Sequence, residues 1–94
     1  MLKIMDNDIY RSSVKVGSFD TRHIWAHDGK KLGYFEDRYV YATDGRKLAW
    51  IEGNYLDSGS GSSTRISLDK VNESIVGGLL PEIGRCAIYV LVGA

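Results

Sequence analysis

Ninety-four residues, 44% of them hydrophobic and 26% charged, suit one small globule and exclude a disordered chain. A chain of this length buries only on the order of 60–65% of its surface, so its margin of stability is thin. Twelve basic residues balance twelve acidic ones, which excludes an overall field drawing the chain to nucleic acid, anionic lipid or an acidic substrate.

The opening residues MLKIMDND carry acids and no apolar run of signal-peptide length, and no window approaches the roughly 20 apolar residues of a membrane span. The expectation is a cytoplasmic chain with no membrane partner. Leu2-Lys3-Ile4-Met5 then falls in phase with the closing strand of a repeat whose copies follow, so the chain begins on half a unit.

The repeat is plainest between Ile24 and Glu36, IWAHDGKKLGYFE, and between Val40 and Glu52, VYATDGRKLAWIE, one thirteen-residue pattern at an offset of sixteen. A unit so short cannot bury its own apolar face, so copies must stack or pair around a shared core. Asp28-Gly29 and Asp44-Gly45 divide short β-branched and aromatic runs, and Asp-Gly suits a tight hairpin turn whose two central residues take positive φ. Ile9-Tyr10 opens an earlier copy once one residue is dropped near Ser12-Ser13, and Tyr55-Leu56 opens a fainter later one. Four hairpins result, at roughly 8–20, 22–36, 38–52 and 54–68, within a single domain. Second turns join them at Asp6-Asn7-Asp8, Asp20-Thr21-Arg22, Glu36-Asp37-Arg38 and Glu52-Gly53-Asn54, giving a strand about every eight residues. That rhythm predicts a mainly β meander closing on itself.

In the fourth copy the run Ser58-Gly59-Ser60-Gly61-Ser62-Ser63 replaces the tight turn and has the composition of a mobile loop. A phosphate cradle is disfavoured, because no Lys-Ser or Lys-Thr pair follows it. Residues 69–94 form a C-terminal extension without the repeat. Pro81, Glu82, the apolar set Ile83, Cys86, Ala87, Val90, Leu91 and a terminal Gly93 favour a helix plugging the sheet. Ile88, Val90 and Val92 in a continuous apolar run suit a buried strand that would complete the opening half unit. Cys86, the only cysteine, excludes an internal disulfide framework and reads as a buried structural thiol, with no His near it in sequence to activate it.

An aliphatic-aromatic pair, a tight Gly turn, a basic residue, an aliphatic, a small residue and an aromatic, repeated over roughly residues 1–68 and followed by an apolar segment, resembles the bacterial four-fold β-flower domains. The resemblance implies four β units about a pseudo-four-fold axis. It implies no activity and no catalytic residues.

Gly17, Gly33 and Ala49 share one phase and predict close approach of backbones, or else a floor beneath a ligand. Tyr10, Trp25 and Tyr41 share another, as do Tyr34 and Trp50, so symmetry would gather them into aromatic rings. Strict alternation would put one of the two sets outside, as a protein contact surface or a stacking platform. His23 and His27 would lie about 13 Å apart on one face of a strand, too far to share a metal ion, and read as solvated turn residues. Lys30-Lys31 and Arg46-Lys47 read as solubilising charge, or with Tyr41 and Trp50 as a single-strand nucleic-acid stripe that Glu36 and Glu52 weaken. Neither the scattered serines nor Glu36 and Glu52 make a nucleophile or acid/base pair.

The expectation is a non-catalytic binding or assembly module, without cofactor or metal, that pairs with itself to satisfy unpaired strand edges or else binds another protein. Its alternative is a recognition domain for a sugar or nucleobase. Tyr10, Trp25, Tyr41, Tyr34 and Trp50 are the candidate contact residues.

Overall fold

The computed structural model of the chain describes residues 1–59 and 64–93, with Thr64 by its backbone alone. The centre of the Gly/Ser run expected to be mobile lies outside the described residues. Nine strands follow one another: β1 (Leu2–Met5), β2 (Asp8–Arg11), β3 (Val14–Phe19), β4 (His23–Ala26), β5 (Lys31–Glu36), β6 (Tyr39–Ala42), β7 (Lys47–Glu52), β8 (Tyr55–Ser58) and β9 (Thr64–Ser67). Helix α1 (Leu68–Ser74), the two-residue strand β10 (Ile75–Val76) and helix α2 (Glu82–Leu91) complete the chain.

The sheet runs β10-β1-β2-β3-β4-β5-β6-β7-β8-β9, a meander in which only the β1–β10 pair is parallel. Ten strands about 4.8 Å apart would span about 43 Å if flat. The longest dimension of the molecule is 34 Å, so the sheet is curled. The two end strands are joined by α1, a helix of seven residues and hence about 10 Å long. Ser67 caps it by accepting from the Lys70 amide, while Leu68 and Val71 turn its apolar side into the core. Among the described residues this helix links the two end strands, while no ladder pairs β9 with β10.

The tight turns differ from the expected geometry. Gly29 and Gly45 are left-handed, with φ of 88° and 89°, whereas Asp28 and Asp44 are not. Each Asp instead accepts the amide of the residue two further on, Lys30 or Arg46, at 3.0 Å. This is a type I turn closed by a left-handed glycine, which makes the loop three residues long. At the first hairpin Ser12 and Ser13 take φ of 52° and 68°, the two-residue alternative, and the dropped residue of that copy is accounted for.

A bulge recurs at one place in three hairpins, between Ile9 and Tyr10, Ile24 and Trp25, and Val40 and Tyr41. It adds a residue to the second strand, and Val16 and Leu32 at that position pack against the core. The inner face carries Ile9, Phe19, Ile24, Phe35, Val40 and Leu56, all buried. Over it lies α2, against β4 to β7, burying Ile83, Cys86, Ala87 and Ile88. The helical reading of the C-terminal segment holds. Gly17 and Gly33 face this interior: a Cβ at Gly17 would stand 2.5 Å from the Trp25 carbonyl oxygen, and one at Gly33 would meet the Tyr41 carbonyl oxygen and Leu91 Cδ1. Leu91 covers Gly33, which leaves no room there for a ligand floor.

Candidate functional site

Helix α2 covers the inner face over β4 to β7, and the candidate aromatic residues lie on the outer face. The bulge decides what that face carries. Because it shifts the alternation by one residue, Trp25 on β4 and Tyr34 on β5 both project outward, as do Tyr41 and Trp50 on β6 and β7. Both aromatic sets therefore share one surface, where strict alternation would have separated them.

Register then places the side chains in rows across the strands. One row runs His23, Tyr34, Tyr41, Lys47 and the next Glu36, Tyr39, Trp50, Asp57, Arg65. Tyr34 and Tyr41 stack, with ring centroids 4.9 Å apart and planes inclined by 17°. His23 bridges Trp25 and Tyr34 at 5.9 and 6.0 Å, and Tyr39 meets Tyr41 at 6.2 Å. A half-buried belt thus runs from Trp25 through His23, Tyr34 and Tyr41 to Tyr39. Cations lie on it: Lys31 Nζ sits 5.1 Å from the Trp25 centroid and Lys47 Nζ 3.9 Å from that of Tyr39. These lysines do more than solubilise the chain.

Of the five candidate residues, the fold brings Trp25, Tyr34 and Tyr41 into one belt. Tyr10 stands between Lys3 and Lys15, and Trp50 between Tyr39 and Asp57; among the described residues neither ring meets another. His23 is no turn residue, since it sits in β4 inside the belt, while His27 is exposed at the hairpin tip. His23 and Tyr39 also belong to the belt, although neither was among the candidate contact residues. Their signal was present: His23, Tyr39 and Tyr55 recur at an offset of sixteen, each just before an inward aliphatic position or its neighbour.

Asp57 takes the place that Trp25 and Tyr41 hold in earlier copies. Its carboxylate is buried and accepts from Arg65 Nε at 2.7 Å and Nη2 at 3.2 Å, while the guanidinium lies 4.8 Å from the Tyr55 centroid. The Arg65 hydrogen bond holds the Asp57 carboxyl below the usual carboxylate range, with burial opposing it. Tyr41 is pushed up, first by desolvation and then by the charge of Glu36, and stays a neutral donor at neutral pH. Asp20 is lowered chiefly by the Arg22 amide, and His23 Nδ1 lies 3.5 Å from its carboxylate.

Because strands alternate in direction, every hairpin tip lies on one rim and every connecting turn on the other. Lys15, Lys31, Lys47 and Arg65 line the tip side, and Asp8, Glu36 and Glu52 the connecting side. Lys15 reaches from the tip side to Asp8 at 3.1 Å, and within the connecting side Arg22 pairs with Glu36 at 3.2 Å. Cys86 is buried, and burial pushes its thiol up to about 12, so it is not a thiolate nucleophile. Among the described residues no helix is long and apolar enough to cross a membrane.

Comparison with protein-family models, with curated proteins and with solved structures finds no match to this chain.

Proposed function

We propose that the chain is a non-catalytic binding module that recognises its ligand through the outer aromatic belt. The observation that carries this reading is the stacked Tyr34–Tyr41 pair at the centre of a continuous, solvent-facing run of rings flanked by lysines. A contiguous aromatic patch on an outer face is a feature of interaction surfaces, and Tyr and Trp supply contact area at low entropic cost. Helix α2 covers the inner face over β4 to β7, and the cleft of about 610 Å³ beside Phe19, Phe35 and Leu80 carries none of the belt aromatics. In the same reading the hairpins are four repeats about a pseudo-four-fold axis, which the recurrent bulge supports.

Self-association is the second reading, favoured by rims of opposite net charge and by the end strands β9 and β10, which do not pair with each other. Two outer faces related by a two-fold axis lying across the strands would set each basic rim against its partner's acidic rim.

The test is tryptophan fluorescence of the chain against a panel of neutral oligosaccharides and nucleotides, with light scattering across a hundredfold dilution. A binding module gives a saturable change with one probe class, or a concentration-dependent mass. Either response should vanish in Y34A/Y41A while far-ultraviolet circular dichroism is retained. A monomer insensitive to every probe overturns the proposal.

A further inference from the structure

The belt has one gap, and the repeat itself shows why. Tyr34 on β5 faces Tyr41 across the next strand, and the two rings close on each other. One repeat later Trp50 takes the place of Tyr34, but the residue opposite it on β8 is Asp57. That carboxylate is buried, accepts from Arg65, and offers Trp50 no ring to stack on. On the other side Trp50 is paired in register with Tyr39, whose ring is held by Tyr41 and capped by Lys47. Among the described residues the Trp50 ring therefore meets neither ring nor cation, although it is half-buried.

An open cleft of about 550 Å³ lies at this gap, lined by Arg38, Tyr39, Lys47, Trp50, Glu52 and Gly53. That is the size of a small-molecule site. Its chemistry is mixed. Trp50 supplies a flat apolar platform, Arg38 and Lys47 supply donors, and Glu52 supplies an acceptor. Arg38 is steadied by a long bond from its Nε to the Ile51 carbonyl, 3.4 Å, which leaves its terminal amino groups toward solvent. A phosphate would engage Arg38 and Lys47 but would set an anion against Glu52 and leave the Trp50 face uncovered. A ligand with one apolar ring face and a rim of hydroxyls, each both donor and acceptor, satisfies every group present.

We infer that the cleft between Trp50 and Tyr39 is a binding site for a neutral pyranose sugar, stacked on the Trp50 indole with its hydroxyls shared between Glu52 and the Arg38 and Lys47 donors. This rests on reading the outer face as the recognition surface, and it assigns one place on that face and one class of ligand. The site is a single shallow platform, so a dissociation constant near ~1 mM is the expected scale.

The experiment uses the full chain carrying W25F, so that all indole emission comes from Trp50. Cellobiose, maltose and N,N′-diacetylchitobiose are titrated singly, with adenosine monophosphate and inorganic phosphate as anionic probes. The expected result is a saturable change in emission with at least one disaccharide and none with phosphate. E52Q and R38Q should each weaken it several-fold with circular dichroism unchanged. In a second chain that keeps Trp25 and carries W50L, amide shift perturbations by the same sugar at Tyr39 and Glu52 should be lost. Silence of the W25F chain to all three sugars, or a response to the nucleotide alone, overturns the assignment. Sugar-induced shifts that persist in W50L at Tyr34 and Tyr41 would overturn this cleft while leaving the belt as a recognition surface.

Discussion

The Arg85 guanidinium donates to the Ile75 carbonyl at 2.7 Å and to the Gly77 carbonyl at 2.9 Å, so the helix inside the sheet grips the strand at one of its ends. β10 is only two residues long and pairs with Leu2 and Lys3 through its other side. Such a strand has little hold of its own.

Replacing Arg85 by Met should therefore loosen the β1–β10 seam before the rest of the sheet. Charge-assisted hydrogen bonds of this kind contribute about 1.5–3 kcal/mol. Urea denaturation should show a loss on that scale, and amide exchange at Ile75 and Val76 should accelerate more than at Phe35 or Val40. Uniform acceleration would show that the clamp acts on the whole fold.

Gly33→Val forces a Cβ into the Tyr41 carbonyl oxygen and the Leu91 side chain, and neither neighbour is the free end of a surface chain. Overpacking of this kind costs about 1–3 kcal/mol. In a domain of this size each kcal/mol lowers Tm by roughly 4–8 °C. An unchanged Tm would mean the small position is incidental.

The hairpins were legible because their turns are chemically explicit: Asp-Gly at 28–29 and 44–45 announces itself whatever the tertiary context. The helix at the end was legible from Pro81 and the spacing of Ile83, Cys86 and Ala87, although its β-branched residues argued the other way. What was hidden is long-range. The bulge that turns both aromatic sets outward has no residue signature in LGY or LAW, since the extra residue is an ordinary Leu. Likewise α1 and β10 carry no repeat, and the bond from Arg65 to Asp57 spans a loop that interrupts the pattern. All five candidate aromatics project outward, and which of them meet could not be read from the sequence because it depends on register.

Asp57→Asn tests the one buried charge among the described residues. A carboxyl held below its ordinary value stabilises the fold fully above about pH 4 and loses that contribution as pH falls through its lowered native value. The variant should melt below the wild type at pH 7, and the two Tm values should converge toward pH 2. A constant offset across that range would show that shape, not charge, matters at residue 57.

The Tyr34–Tyr41 stack should appear as coupling. Single Ala variants and the double variant, compared by chemical denaturation, should give an interaction of about 0.5–1.5 kcal/mol beyond the sum of the singles. Additive losses would mean that the rings lie together without holding one another.

The position of α2 in the chain has a consequence for how the protein is made. All nine consecutive strands are synthesised before the segment that covers their inner side, so a ribosome releases hairpin after hairpin with Ile24, Phe35 and Val40 still facing water. Neighbouring hairpins can zip early because their pairings are local. Consolidation must wait for Ile83 to Leu91, and a transcript cut short of them would yield a sticky, half-built sheet that quality control has reason to destroy.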